Sequence, residues 1–269
     1  MAVSKSLERK HNKLKKILKG YKKLAIAFSG GVDSTLLLKI ACEVLGEHVI
    51  AIYVDSPLQP EREKKAVQEL IRSLGAEMDV FSVNELNHSA FQENPPDRCY
   101  YCKGLIFDNI IEVAHLKGIS DIADGSNYDD NKDYRPGNKA LKERNIHSPL
   151  QEAELTKEEI RILSKAYGLP TWNKDALACL ATRIPFGESV TEDKLKKVDS
   201  AEAYLNKLGF RNVRARYFGK KVFIEVSKDQ VDRLRDRELF KELEKKMENI
   251  GFSQIEIAPD GYKQGRMNP

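Results

Sequence analysis

At 269 residues the chain exceeds one average domain, so length alone predicts two domains or one domain with a large appendage. Hydrophobic residues at 41% and charged residues at 32% describe a globular chain with enough apolar matter for a core, and they exclude wholesale disorder. A net charge of +4, from 45 Lys and Arg against 41 Asp and Glu, lacks the basic footprint of a dedicated nucleic-acid binder and suits small anionic substrates.

Ser4 to Lys23 is rich in lysine, with Leu7, Leu14, Ile17 and Leu18 at near-helical spacing, and has no uninterrupted apolar run of the signal-peptide kind. No stretch approaches the roughly 18 apolar residues of a membrane span, so a cytoplasmic protein without a membrane partner is expected. Leu24 to Phe28 then reads as a buried strand, Ser34 to Leu45 as a helix and Val49 to Val54 as a second strand, a βαβ unit. An amphipathic helix from Glu61 to Leu74, a strand from Met78 to Val83, a helix from Leu105 to Leu116 and a short strand from Asp121 to Asp124 continue the alternation. The fold class predicted is α/β, with a doubly wound parallel sheet. Gly125 to Leu150 is polar and longer than the about 12 to 15 residues of a plain connection, which marks a functional or mobile loop.

Thr156-Lys157-Glu158-Glu159 has the pattern of a capping box and starts a helix that Gly168 and Pro170 end. Residues 172–188 look irregular. Thr191 caps a helix to Leu208, Val213 to Phe218 and Val222 to Val226 flank Gly219-Lys220 as a hairpin, helical segments run from Asp229 to Asn249, and a strand covers Gln254 to Ile257. This composes a small C-terminal α+β domain, with the division placed at residues 1–187 and 188–269.

In Ser29-Gly30-Gly31-Val32-Asp33-Ser34 two glycines permit a tight turn that aims several N–H groups and a helix start at one anion, with the Ser29 and Ser34 hydroxyls as further donors. It is no Walker A loop, because the Gly-Lys-Ser/Thr ending and its phosphate-reaching lysine are absent. The segment resembles the signature loop of the PP-loop ATP pyrophosphatase superfamily. That resemblance implies ATP and Mg²⁺ as cofactors, attack of a substrate oxygen on the α-phosphorus with pyrophosphate as leaving group, and Asp33 near the metal or triphosphate. Asp55 and Ser56, ending the second strand, fall where the superfamily holds adenosine, in line with ligands binding at strand carboxyl ends.

Further stretches are similar to one family, the LarE-type pyridinium-3,5-biscarboxylic acid mononucleotide sulfurtransferases. They are Asn94-Pro95-Pro96-Asp97-Arg98-Cys99-Tyr100-Tyr101-Cys102-Lys103, Asp124-Gly125-Ser126-Asn127-Tyr128-Asp129-Asp130, Arg135-Pro136-Gly137, Ser148-Pro149-Leu150 and Ala178-Cys179-Leu180-Ala181-Thr182-Arg183-Ile184-Pro185-Phe186-Gly187. The resemblance implies synthesis of the nickel-pincer nucleotide: a carboxylate is converted to an acyl-adenylate and then, by a sulfur nucleophile, to a thiocarboxylate. Gly125 and Asn127 join the nucleotide-binding set on the same ground. One branch of the family is thought to consume the sulfur of a single cysteine, here Cys179; the other binds a [4Fe-4S] cluster through three. Cys99, Cys102 and Cys179 together resemble the second branch, in which three thiolates leave one iron open for an exogenous sulfur. A zinc site and a sacrificial Cys179 stay as alternatives.

Arg214 and Arg216 alternate onto one strand face, about 7 Å apart, as a candidate clamp for the substrate phosphate, against the plainer reading of solvated charge. Arg183 is expected to hold a phosphate or carboxylate of the substrate, or else to lie on the surface. Glu202 resembles an acidic position of the family's C-terminal domain, with a helix-face salt bridge as the alternative. A small-molecule nucleotide substrate, no nucleic acid and a homo-oligomer are the expected partners. Two rival readings are a tRNA thiolase of the same superfamily and a non-catalytic Fe–S or nucleotide sensor.

Overall fold

The computed structural model describes residues 4–132, 136–175, 178–263 and 265–267. In chain order the elements are α1 (Lys5–Leu18), β1 (Leu24–Phe28), α2 (Val32–Leu45), β2 (Val49–Asp55), α3 (Glu61–Leu74), β3 (Glu77–Ser82), α4 (Ser89–Gln92), α5 (Arg98–Leu116), β4 (Ile122–Ala123), α6 (Pro136–Glu143), α7 (Pro149–Glu152), α8 (Lys157–Ala166), α9 (Glu192–Lys207), β5 (Arg214–Phe218), β6 (Lys221–Glu225), α10 (Val231–Leu234), α11 (Arg237–Ile250) and β7 (Gln254–Ile257). They form two compact units, one of residues 1–56, 63–83 and 99–177 and one of residues 57–62, 84–98 and 178–269. That segments 57–62 and 84–98 join the second unit was not foreseen from sequence.

The first unit is built on a four-stranded sheet in the order β3-β2-β1-β4, parallel throughout. Leu24, Ile26 and Phe28 of β1, with Val49, Ala51 and Tyr53 of β2, enter one hydrophobic cluster, while Ala25, Ile50, Ile52 and Val54 enter another. Both faces are covered, which is why these strands read as unbroken apolar runs rather than alternating ones. Helix α1 belongs to the first cluster through Leu7, Leu14 and Leu18. Each wholly buried leucine contributes about 1.5–3 kcal/mol, whereas the Lys13–Glu154 pair is exposed and screened by water. The leucines, not the lysines, hold α1 in place.

Two expectations change. Helix α5 begins at Arg98, seven residues before the anticipated Leu105, so Cys99 and Cys102 stand on its first turn instead of in a loop. The polar stretch 125–150 is no plain loop either: among its described residues it holds a 3₁₀ turn at Tyr128–Lys132 and the helices α6 and α7. Its polar composition reflects short elements, each burying a narrow stripe such as Gly137, Ala140 and Leu141 of α6. Arg135 lies outside the described residues.

The second unit carries a three-stranded sheet in the order β5-β6-β7, antiparallel between β5 and β6 and parallel between β6 and β7. Thr191 caps α9 by accepting from Lys194 N. Asn94 ties the inserted segment to the stretch after Cys179. Its side-chain amide donates to the carbonyls of Ile184, Pro185 and Glu188 at 3.3, 2.8 and 3.1 Å, and its own carbonyl accepts from Gly187 N at 3.0 Å. The Arg98 guanidinium donates to Asn94 Oδ1 and lies 4.6 Å from the Phe186 ring centroid. Asn94 is fully buried and adopts a left-handed φ of 56°.

Two of the sequence stretches that resemble one family therefore meet through one side chain. Replacing Asn94 by Ala leaves buried carbonyls and Arg98 without their partner, at about 1–3 kcal/mol for each unsatisfied group, and adds left-handed backbone strain. Asn94→Gly removes the same bonds without that strain. Thermal unfolding should rank the parent above Asn94→Gly and Asn94→Gly above Asn94→Ala; an Asn94→Ala melting temperature equal to the parent's would remove this assignment.

Candidate active site

In the first unit, strand β1 runs into Ser29-Gly30-Gly31 and then directly into α2. Gly30 takes a φ of +71°, and a Cβ there would overlap Val67 Cγ2 of α3, so the turn requires glycine on both counts. The loop is tied to itself: Ser29 Oγ and Ser34 Oγ are 3.1 Å apart, Ser29 N donates to Ser34 Oγ at 3.3 Å, and Thr35 Oγ1 donates to the Gly31 carbonyl at 2.7 Å. The N-cap of α2 is Gly31, with no side-chain cap. An uncapped helix start behind a glycine turn is an anion site, since its N–H groups and the helix dipole both favour negative charge.

The carboxyl ends of the neighbouring strands complete the surroundings. Asp55 ends β2 and pairs with Lys64 at 2.7 Å, and Ser56 beside it is buried. After β4, a Cβ on Gly125 would come within 3.0 Å of the Ser34 backbone nitrogen, so only glycine lets this segment lie against the start of α2. Asn127 is buried; its N–H donates to Asp130 Oδ2 at 2.9 Å and its Oδ1 accepts from Asp129 N at 2.9 Å. Asp124 accepts from Ser126 N at 3.1 Å and from Ser148 Oγ at 2.7 Å, joining two further stretches named above. Because β1 has β2 on one side and β4 on the other, the loop sits where the strand order reverses, the usual place for a ligand in an open parallel sheet.

Asp33, the second residue of α2, binds the Lys157 ammonium through Oδ2, while its buried Oδ1 has no hydrogen-bond partner among the described residues. Burial pushes its carboxyl above the usual carboxylate range; nearby Asp130 adds to this and Lys157 opposes it. An unsatisfied carboxylate oxygen at an anion site fits the chemistry of Mg²⁺, which takes one or two carboxylates and otherwise keeps water and phosphate oxygens. Lys174 donates to the Gly30 carbonyl at 3.1 Å and pairs with Glu63 at 2.8 Å. Sequence reasoning missed Lys157, Lys174 and Glu63, because no spacing relative to the loop marks them.

In the second unit the sequence-predicted arginines are buried and paired. The Arg183 side chain is only 2% exposed and forks onto Glu202 at 2.7 and 2.9 Å; it also donates to the carbonyls of Ala178 and Cys179 at 2.9 and 3.1 Å. The surface role for Arg183 is thereby excluded. Glu202 is fully buried and also accepts from Ala215 N at 3.0 Å, so it is more than a helix-face salt bridge. Arg216 donates to Glu225 at 2.7 and 3.0 Å and to the Thr182 carbonyl at 3.0 Å, which rules out solvated strand-face charge at that position. Glu225 is shared with Arg266, which donates to Asp260 at 2.7 Å. Arg214, half-buried, lies 4.9 Å from the Tyr262 ring centroid; burial, and the Arg183 charge after it, holds its guanidinium below the ordinary arginine range.

Cys99 and Cys102 are one helical turn apart on α5, Cys99 exposed and Cys102 partly so. Cys179 belongs to the second unit, where its carbonyl also accepts from Thr182 Oγ1 at 2.7 Å. Among the described residues no group of three or more His, Cys, Asp and Glu is placed to hold a metal ion. The pair on α5 suits two ligands of a cluster.

The parallel sheet with this loop at the end of β1 defines an ATP-binding enzyme of the PP-loop pyrophosphatase type, with a smaller C-terminal α+β region. Residues 3–96 match the PP-loop domain family. The chain is 37% identical over 262 residues to an uncharacterised protein of Synechocystis, covering 97% of this chain and 98% of that one. It is 35% identical over 253 residues to the pyridinium-3,5-bisthiocarboxylic acid mononucleotide synthase of Lactiplantibacillus plantarum, covering 93% and 91% of the two chains. It belongs to the family that contains this synthase. A more distant likeness, 28% over 169 residues, joins 56% of this chain to 33% of the glutamine-hydrolysing GMP synthase of Aliarcobacter butzleri. No helix among the described residues is long and apolar enough to cross a membrane.

The Arg183–Glu202 fork can be tested as a buried pair. Arg183→Met should cost about 3–5 kcal/mol by stranding a buried carboxylate, and Glu202→Gln should cost less because the amide still accepts from Ala215 N. The double variant Arg183→Met, Glu202→Gln should recover part of the loss. Strict additivity in urea unfolding would show that the two side chains do not act as a pair.

Proposed function

We propose that the protein converts a carboxylate of pyridinium-3,5-biscarboxylic acid mononucleotide into a thiocarboxylate at the expense of ATP. What supports this most is the pairing of an uncapped, glycine-turned anion loop with full-length likeness to a synthase whose product is the corresponding bisthiocarboxylic acid mononucleotide.

A carboxylate is a poor electrophile until one oxygen becomes part of a good leaving group. Its oxygen attacks the α-phosphorus of ATP, the bond to the bridging oxygen breaks, and pyrophosphate leaves from the Ser29–Ser34 loop. A hydrosulfide-class nucleophile then attacks the carbonyl carbon of the acyl-adenylate, AMP departs, and the thiocarboxylate remains. Asp33 would hold Mg²⁺ through the oxygen that now lacks a partner, and Mg²⁺ supplies charge neutralisation on the phosphates. Asp55, Ser56, Gly125 and Asn127 would line the nucleoside end. Arg214, whose charge is costly where it lies, would gain from the substrate phosphate, with Arg216 and Arg183 held beside it by Glu225 and Glu202.

For the sulfur step the proposal assigns Cys99, Cys102 and Cys179 to a [4Fe-4S] cluster, which when bound would offer an open iron for exogenous sulfur. The test is anaerobic. Pyrophosphate release should depend on the pyridinium nucleotide, thiocarboxylate should appear by mass spectrometry when sulfide is supplied, and Asp33→Asn should slow release by about 100-fold or more. Bound iron should vanish in Cys99→Ala. Release stimulated by tRNA instead of the nucleotide would replace this reading with RNA thiolation; turnover without iron, with loss of the Cys179 sulfur once per chain, would replace the cluster with a consumed cysteine.

A further inference from the structure

The loop Ser29–Ser34 contains no lysine or arginine, yet the pyrophosphate it would release carries most of the negative charge of ATP. Backbone N–H groups offer only partial charges. Two ammonium groups from distant sequence reach this loop. Lys157 is the first residue of α8 and sits on Asp33; Lys174, beyond the end of α8, sits on the Gly30 carbonyl and Glu63.

Both lysines rise from a fixed backbone. Thr156 and Glu159 close a capping box around the start of α8, and the Lys157 N–H donates to Asp129 Oδ2 at 2.9 Å. The Arg161 guanidinium donates to the carbonyls of Trp172 and Lys174 at 3.0 and 2.8 Å, pinning the turn that carries Lys174. An anchored backbone with a rotatable four-carbon stem lets an ammonium group exchange one oxygen partner for another a short distance away. Asp33 has a second claim on it, since its unpartnered oxygen suits a cation other than lysine.

We infer that Lys157 and Lys174 are the pyrophosphate-binding cations of this loop, supplied from the two ends of the α8 segment and held by Asp33 and Glu63 until the nucleotide arrives. With Asp33 engaged by Mg²⁺, Lys157 would be free to turn toward the leaving phosphates, and Lys174 would move from Glu63 in the same direction. This rests on the reading of the loop as the pyrophosphate-releasing site.

Binding of magnesium pyrophosphate and of AMP to the intact protein, measured separately by calorimetry, tests it. Lys157→Met and Lys174→Met should each weaken pyrophosphate binding by about tenfold or more, the scale of a charge-assisted hydrogen bond, and leave AMP binding unchanged. Lys157→Arg should recover part of the loss. Should Lys157→Met fail to fold, Lys174→Met and Lys157→Arg decide by the same split. Parental pyrophosphate affinity in the methionine variants, from a protein that still releases pyrophosphate from ATP, would overturn the inference alone, as would an equal loss of AMP binding. A parent that binds neither ATP nor pyrophosphate would overturn the function as well.

Discussion

The first unit depends on one backbone constraint, the passage from β1 into α2 with no side chain capping the helix. A Ser, Thr or Asp at that N-cap would satisfy one of the orphan N–H groups and stabilise the helix by about 1 kcal/mol. Gly31 forgoes this. Forgoing it makes sense only if another acceptor occupies the position, and the rest of the loop is consistent with that: Ser29, Ser34 and Thr35 direct their hydroxyls into the loop's own bonds, which fixes the turn before a ligand arrives. Gly30 and Gly125 extend the same logic to their neighbours, because a side chain at either would collide with Val67 or with the start of α2.

The second unit solves a different problem. Arg183, Arg214, Arg216 and Arg266 are brought together with Glu202, Glu225 and Asp260. Buried ion pairs of this kind contribute little net stability, since desolvation offsets most of the attraction. Their value lies in geometry: a fork from Glu202 fixes Arg183, and Glu225 fixes Arg216. Burial holds the Arg214 guanidinium below the ordinary arginine range, so an anion beside it would relieve the cost of its charge.

Much of this was legible in the sequence, and the limits are physical. Strand β1, helix α3 and strand β7 fall where periodicity places them, and the capping box at Thr156 forms as its pattern predicts. Those signals are local. Helix α5 begins at Arg98 rather than Leu105, its start fixed by contacts that no local pattern shows, the Arg98 guanidinium being drawn to Asn94 and Phe186. Glu202 resembles an acidic position of the family, with a helix-face salt bridge as the alternative, and nothing in the sequence marks Glu225; only tertiary pairing reveals both as buried partners of arginines. Lys157 is the hardest case, hidden in plain sight as the residue after a cap, its meaning visible only once α8 lies beside α2.

The two units use different cations for a reason that follows from the chemistry proposed. Guanidinium is a planar fork whose orientation its carboxylate partners can lock, suited to a phosphate that enters and leaves unchanged. Ammonium is a compact charge on a rotatable stem, suited to a phosphate chain that is cut during turnover and must depart. In this protein the forks lie on Arg183 and Arg216, each with at least two hydrogen bonds to one glutamate. The ammonium groups lie at the loop, Lys157 on Asp33 and Lys174 on Glu63 and the Gly30 carbonyl. A site that must release its product needs contacts that can be broken singly, and lysine provides them where an arginine fork would hold on.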